Sequence, residues 1–523
     1  MYVIRDSLYG DITLSKEEFD VVNTYEMQRL SRVKQLGTSY LVYPGATHTR
    51  LAHSLGVRYL VEQILIRSNI YISAEEKRLL FLAALLHDVS HPCFGHRLED
   101  IPGIPPHEDV RDYILDGKIK DKLKEHEVLT EEEIDNTYFI SDNDILDKDT
   151  REKIKEIFNK SNRYLKLSKL IDNYIDVDNL DYIKRDAFYL GLQAANYDDR
   201  VLSLFRITDD KEEPVVFAKG KTTLESIIAV MQARYYLYKV AYLQHTTMIA
   251  DAMLTKAVRI WRYGDNGIVP FLVGDEEMLL RIKKEKEGEA SDLAHCILAR
   301  NLYKRAYVLD NSNLRAKDRA NAILNDPLSD FKHKIKNKTG EDILLVPPRT
   351  PAWKDFRKIL VNERNPQPIG SKIMSEIEIF KNKYDDLWTF IVATKKHNID
   401  IRKNVHEECK KYFFDYKGVY EPKEKSSESG YALTLALENI KKRKEAALSV
   451  LGAICSKNEI STDEIVKETN LQRSTVSQYL SYIKKNLKKY NILQSELHKK
   501  KKYWKIKRKE DRDLIIKFIR EGV

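Results

Sequence analysis

At 523 residues, 42% of them apolar, the chain is too long for one hydrophobic core and has enough apolar side chains to pack two or three domains. No uninterrupted run of about 18 apolar residues occurs, and the opening Met1-Tyr-Val-Ile-Arg-Asp6 is not a basic segment followed by an apolar one, so neither a membrane span nor a secretory signal is expected. The net charge of +9 is unevenly placed: residues 441–523 hold 22 Lys and Arg against 10 Asp and Glu, which leaves −3 for the rest and argues for an anionic partner of the tail, nucleic acid first.

In chain order, residues 1–115 are predicted to be mostly helical after a short extended start. Helical periodicity runs from Phe19 to Leu36 and from Leu51 to Ile66, with turn chemistry between them at Tyr43-Pro-Gly-Ala-Thr-His48. Residues 116–162 are charged and poor in periodic apolar positions, and read as an inserted, solvated helical segment. Helices return around 163–195 and over one long stretch, Thr222 to Tyr263. From 264 to 415 short β-rich stretches, Asp342–Val346 and Trp388–Val392, alternate with helices such as Arg402–Phe414 and a Pro-rich loop at Val346-Pro-Pro-Arg-Thr-Pro351, as in a small α+β subdomain.

Residues 420–436 are polar and read as a linker. A helix over about 437–456 then precedes Ser461-Thr-Asp-Glu464, which has capping-box spacing. A short helix to Glu468, a turn at Thr469-Asn470 and a basic helix from Arg473 to Tyr490 follow. Ile492–Leu497 and Tyr503–Ile506 flank Lys499-Lys500-Lys501-Lys502 as a hairpin, which completes the plan of a winged helix-turn-helix. Arg473, Ser474, Thr475 and Gln478 open its recognition helix with groups that donate to phosphates and base edges, and Lys500 and Lys501 at the hairpin tip suit the nucleic-acid backbone. The expected fold class is mainly α, with a metal-binding helical domain over 1–263, an α+β elaboration over 264–419, the linker, and a basic winged helix over 437–523.

Chemistry concentrates near the N-terminus. Leu85-Leu86-His87-Asp88 ends an apolar run, and desolvating an imidazole beside a carboxylate is costly unless something satisfies both. A divalent metal does so, since both groups are standard ligands. His53 upstream and Asp178 downstream complete the order H…HD…D, a four-ligand centre that leaves positions for water and a phosphoryl oxygen. Five of the 13 histidines fall between 53 and 107, three of them (His91, His96, His107) outside this set. Taken singly, a histidine or aspartate in a helix is more often structural; four in this order are not. The four cysteines, Cys93, Cys296, Cys409 and Cys455, are far apart with no CxxC pair, which predicts a reducing, cytoplasmic setting.

Several motifs carry a resemblance. Asp6-Ser-Leu-Tyr-Gly10, Gln28-Arg-Leu30, Gln35-Leu-Gly37, Tyr43-Pro-Gly-Ala-Thr-His48-Thr-Arg50-Leu-Ala-His53-Ser-Leu-Gly56 and His87-Asp-Val-Ser-His91 resemble the HD-domain phosphohydrolases. The nearest branch is the deoxynucleoside triphosphate triphosphohydrolases, which include the bacterial dGTPases and the SAM-and-HD-domain protein. The resemblance continues through Asp176-Val-Asp178-Asn-Leu-Asp-Tyr182-Ile-Lys-Arg-Asp186, Arg234…Tyr242 and Arg300-Asn-Leu-Tyr-Lys-Arg305, and covers about residues 1–415.

The resemblance implies that His53, His87, Asp88 and Asp178 hold the metal, whose identity (Mn, Mg, Fe, Ni or Zn) such a donor set leaves open. It implies that Arg50, His91, His96, His107 and Arg234 surround the phosphates, with Glu99 supporting His96. Tyr182 and Asp186 match positions that contact phosphate and the 3′-hydroxyl, Gln35 and Leu36 lie beside the sugar, and Tyr242 matches the aromatic that excludes ribose. Arginines and protonatable histidines suit this task because they neutralise phosphate charge and supply protons near pH 7. Two departures stand out. Asn179 occupies a position where the branch usually has a phosphate-contacting lysine, and Asn23 and Ser31 differ from charged residues used by some relatives for regulatory nucleotides, so nucleotide-driven activation is not implied.

The implied reaction is hydrolysis of dNTPs to deoxynucleoside and tripolyphosphate, with metal-activated water attacking the α-phosphorus and His96 protonating the leaving group. A homo-oligomer is expected because relatives assemble. The residues leave two other readings open: an HD-type phosphodiesterase or nuclease acting on nucleic acid, motivated by Asn179 and the basic tail, and a nucleotide-sensing DNA-binding regulator. Base preference is not legible.

Overall fold

The computed structural model describes residues 1–261, 267–285, 287–326, 330–349, 354–414, 420–422, 445–457, 459–487, 493–498 and 501–506, and isolated positions between 512 and 519. The chain divides into two compact units, Met1–Glu421 and Pro422–Val523.

The first unit opens with an antiparallel hairpin, Tyr2–Asp6 with Gly10–Leu14, and continues mainly in helices. At its centre is the helix Ala74–Leu86. Ser73 and Glu76 form a capping box that sets its start, and Leu79 to Leu86 are buried without a break. A helix apolar on every side belongs in the interior, and each large aliphatic side chain so buried contributes about 1.5–3 kcal/mol. The helix Arg50–Arg67, with Thr49 as N-cap, packs against it and against Val177–Leu190. The second contact depends on Gly56, where a Cβ would stand 2.0 Å from Asp181 Oδ1 and 2.3 Å from Arg185 Nη2. Arg185 lies between Asp181 (Nε to Oδ2, 2.8 Å) and Asp6 (Nη1 to Oδ2, 2.7 Å), which ties the N-terminal hairpin to these helices.

Three sequence expectations are corrected. The periodic stretch Phe19–Leu36 is not one helix, because the chain breaks at Asn23-Thr24 between Lys16–Val22 and Tyr25–Leu30. The stretch from Thr222 to Tyr263 is also interrupted: Lys221–Leu237 passes into a π-helical turn, Tyr238–Tyr242, before His245–Trp261 begins. Such turns often mark functional sites, because the extra residue re-aims side chains. Residues 116–162 are helical in short pieces, Ile119–Glu125, Glu131–Asp135 and Lys148–Phe158, but they are not a solvated insert. Leu123, Phe139, Ile140, Leu146, Ile154 and Ile157 are buried in the main core, one or two per element, a spacing too sparse to register as periodicity.

Downstream, Thr389–Thr394 is the central strand of an antiparallel sheet between Lys304–Asp310 and Ile343–Val346. Two of these strands coincide with the expected β-rich stretches, and the helix Ile399–Phe413 with the expected helix. Phe413 stacks on Tyr307 at 5.5 Å.

The second unit holds the helices Glu445–Ser456, Thr462–Thr469 and Arg473–Leu487 around Val450, Leu451, Ile454, Ile465, Val476 and Leu480. Its strand Lys501–Ile506 pairs antiparallel with both Ile460–Ser461 and Leu493–His498. Ser461 and Glu464 form the expected capping box, and Asn470 takes a left-handed conformation at φ +53° to turn the chain toward the third helix. Most of the expected linker, residues 437–444 of the expected helix, and Lys499 and Lys500 lie outside the described residues.

Candidate active site

Three helix ends bring four donors together. His53 sits in the first turn of Arg50–Arg67, His87 caps the C-terminus of Ala74–Leu86 with Asp88 next to it, and Asp178 lies in the first turn of Val177–Leu190. His53 Nε2 is 3.3 Å from His87 Nε2, 3.0 Å from Asp178 Oδ1 and 3.8 Å from Asp88 Oδ2, and His87 Nε2 is 3.5 Å from Asp88 Oδ1. The other nitrogen of each ring is held elsewhere: His53 Nδ1 meets Asp181 Oδ2 at 2.7 Å, and His87 Nδ1 donates to Ala84 O at 2.8 Å. Both Nε2 atoms therefore face the two carboxylates, which is the orientation a divalent cation requires of histidine ligands. Burial opposes protonation of His53, but hydrogen bonds to Asp178 and Asp181 outweigh it and raise its pKa to about 10.

Asp88 also accepts from Arg50 Nη1 at 2.6 Å, and His91 Nε2 lies 3.1 Å from its other oxygen. Burial works against its charge, and the surrounding His91, Arg50 and His87 nevertheless hold it well below the ordinary carboxylate range. Burial and Arg50 together push the His91 imidazole well below its usual range.

A second cluster adjoins the first. His91 and His107 stack at 4.0 Å between ring centroids, and His96 meets His91 edge-on at 4.6 Å. Glu99 Oε1 lies 3.2 Å from His96 Nδ1 and 3.1 Å from His107 Nδ1. Glu99 is partly desolvated, yet the two imidazoles hold its carboxyl far below its usual range. The loop that delivers His96 is tight: Phe94 and Gly95 are both left-handed, and a Cβ on Gly95 would stand 2.6 Å from Arg50 Nη2.

These groups border a cavity of about 670 Å³. Among the expected residues, Gln35, Leu36, Arg50, Asp88, His91, His96, Glu99, Asp178, Tyr182, Asp186 and Tyr242 line it. Tyr238 and Tyr242 reach it from the π-helical turn. Asp186 accepts the Tyr242 hydroxyl on one oxygen and faces His48 Nε2 at 2.7 Å with the other. Arg234 and His107 stand one layer back, Arg234 Nε donating to Tyr182 Oη at 2.9 Å and His107 stacked on His91.

Asn179 does not take up a lysine's task at the site. It is buried, and its Nδ2 donates to Asp176 Oδ1 at 2.5 Å, which reinforces the helix N-cap. A lysine arrives from the other side instead: Lys354 Nζ is 2.9 Å from Asp176 Oδ2 and 2.6 Å from Asn173 O. Burial opposes its charge, and Asp176 and Asp178 more than restore it. Sequence reasoning missed Lys354, and it missed Arg97 and Arg349, which line the cavity and share the buried Asp251. Arg97 follows His96 directly, and Arg349 lies in the segment expected only to be a Pro-rich loop.

In the second unit, Ser474 and Gln478 are exposed, Thr475 is half-buried, and Arg473 is paired with Asp463. Lys500 lies outside the described residues and the side chain of Lys501 is not described.

Residues 50–186 match the HD domain family and residues 198–414 the HD associated region. An uncharacterized protein of Methanocaldococcus jannaschii is 32% identical over 261 residues, 49% of each chain. The human deoxynucleoside triphosphate triphosphohydrolase SAMHD1 is 29% identical over 280 residues, 49% of this chain and 44% of that one. The match thus spans about half the length of these curated relatives. A solved phosphohydrolase of Bacteroides thetaiotaomicron superposes with a TM-score of 0.55 at 21% identity, over 76% of this chain and all of that one, a likeness of fold. The His53–His87–Asp88–Asp178 cluster thus falls within a chain that carries an HD domain followed by its HD-associated region.

Proposed function

We propose that this protein hydrolyses deoxynucleoside triphosphates to deoxynucleoside and tripolyphosphate. The observation that carries the reading is the single cavity onto which the four-donor cluster, the His96–Glu99–His107 cluster and the Tyr242–Asp186 pair all open or abut. His53, His87, Asp88 and Asp178 would hold a divalent ion, which lowers the pKa of a water and polarises a phosphoryl oxygen. Arg50 meets a negatively charged α-phosphate beside Asp88, and Tyr182, braced by Arg234, donates to it. Attack on the α-phosphorus breaks its bond to the 5′-oxygen. His96, held through Nδ1 by Glu99, keeps Nε2 for the proton that this oxygen takes up. Asp186 accepts the 3′-hydroxyl, and the Tyr242 ring fills the space a 2′-hydroxyl needs. Similarity to proteins named deoxynucleoside triphosphate triphosphohydrolases supports the same reading.

The test is a product assay with each dNTP and NTP, alone and mixed, in Mn²⁺ or Mg²⁺. Deoxynucleoside and tripolyphosphate are expected, both absent in Asp88→Ala. Intact nucleotides in every mixture, together with Asp88-dependent cleavage of single-stranded DNA or RNA, would favour a nuclease instead.

For the second unit we infer nucleic-acid binding through a winged helix. Its helix–strand–helix–helix–hairpin order and its net charge of +12 over residues 441–523 support this. Binding that falls steeply with salt and weakens in Gln478→Ala is the expected result.

A further inference from the structure

We propose that Arg97 and Arg349 form a subsite for the terminal phosphates of a nucleoside triphosphate, making the chain length of the phosphate a determinant of specificity. The inference rests on the dNTP reading above and extends it to two residues outside the motifs that carried the resemblance.

Asp251 is fully buried, and both arginines lean on one of its oxygens: Arg349 Nη1 is 2.6 Å and Arg97 Nε 3.2 Å from Oδ2. Its other oxygen accepts Thr38 Oγ1 at 2.5 Å. One carboxylate thus faces two guanidiniums, an excess of one positive charge within this trio. The arginine side chains are only 20% and 23% exposed, so water screens that charge poorly. Burial and the two neighbouring arginines, Arg349 and Arg50, lower the pKa of Arg97 to about 10 even with Asp251 beside it.

Like charges gathered in a partly closed cavity are costly unless an anion joins them. Arg50 and the metal cluster already serve one phosphate. A further pair of guanidiniums lining the same cavity as Arg50 matches an anion longer than a monophosphate, and a triphosphate carries about three to four negative charges. Arg97 is ion-paired with Asp251 at Nε, which leaves both Nη groups for phosphate oxygens, and Arg349 retains its remaining N–H groups in the fork geometry that suits phosphate.

The experiment compares wild type with Arg349→Ala and Arg349→Lys, using steady-state kinetics on dNTP, dNDP and dNMP and calorimetric titration with tripolyphosphate, pyrophosphate and orthophosphate. Arg349→Ala is expected to raise KM for dNTP about ten- to a hundredfold with kcat within about threefold, and to weaken tripolyphosphate binding by the same factor while leaving orthophosphate unchanged. Arg349→Lys should recover part of both, since it keeps the charge and loses the fork.

Equal losses for all three phosphates would overturn the subsite in favour of a purely structural pair. A changed ranking of the four bases with unchanged tripolyphosphate affinity would overturn it in favour of base reading. Titration needs no turnover, so a protein that hydrolyses no dNTP yet binds tripolyphosphate through Arg349 would sink the reaction and keep the subsite.

Discussion

Asp181 Oδ2 stands 2.7 Å from His53 Nδ1, and this contact decides which nitrogen of His53 faces His87, Asp88 and Asp178, the donors proposed to hold a metal. Asp181 is itself fixed by Arg185, and those two charges hold its pKa down at about 2 against the effect of burial. A carboxylate behind a ligand histidine sets the tautomer and raises ligand basicity. Asp181→Asn is expected to weaken divalent-metal binding about ten- to a hundredfold, read by competition with a chromophoric chelator.

Gly56 is where the helices that carry His53 and Asp178 meet. Gly56→Ala places a methyl 2.0 Å from Asp181 Oδ1, an atom of the buried Asp181–Arg185 pair rather than of a flexible surface chain. The substitution is expected to cost about 2–4 kcal/mol in urea unfolding and to weaken metal binding along with it.

Lys354 compensates the buried Asp176 at the N-cap of the helix that carries Asp178. Removing its amine leaves that carboxylate uncompensated. Lys354→Met is expected to lose about 2–4 kcal/mol of stability and to raise KM for the nucleotide. Asn179→Lys in that background tests whether a cation on the helix itself replaces the one delivered from residue 354.

Several of these relationships could be anticipated from the chain alone, and others could not. The adjacent His87-Asp88 at the end of an apolar run, and Ser73 and Ser461 each followed three residues later by a glutamate, carry local chemistry that a short window reveals. The gathering of Asp251, Arg97 and Arg349 spans sequence separations no local pattern encodes, and neither does Lys354 against Asp176. The charged stretch 116–162 was misleading for another reason. Its apolar residues are sparse and partly in loops, as with Phe139 and Ile140, so average composition concealed their place in the core. The π-helical turn was likewise invisible, because one inserted residue leaves helical periodicity on both sides nearly unchanged.

Glu26 gives the fold a pH dependence away from the site. It is fully buried, its Oε2 accepts a 3.3 Å bond from Ile140 N, and burial pushes its pKa up to about 7. An unfolded glutamate ionises near pH 4.3, so between there and about 7 the folded state binds more protons. Stability contributed by this group therefore falls as pH rises through that window. Glu26→Gln removes the ionisation, and its stability relative to wild type is expected to be about 1–3 kcal/mol more favourable at pH 8 than at pH 5, read from urea unfolding at each pH.

Tyr242 and Asp186 bear on the sugar. Tyr242→Ala opens the space beside the position proposed for C2′, and hydrolysis of NTPs relative to dNTPs is expected to rise about tenfold or more in competition assays.

The central claim is attack by water on the α-phosphorus with loss of the 5′-oxygen. Hydrolysis of a dNTP in ¹⁸O-labelled water, with products separated by anion exchange and weighed by mass spectrometry, tests it directly. The account predicts one ¹⁸O in tripolyphosphate, none in the deoxynucleoside, and no products from Asp88→Ala. Release of nucleoside monophosphate and pyrophosphate, label in the deoxynucleoside, or no turnover of any dNTP by metal-loaded protein would contradict it.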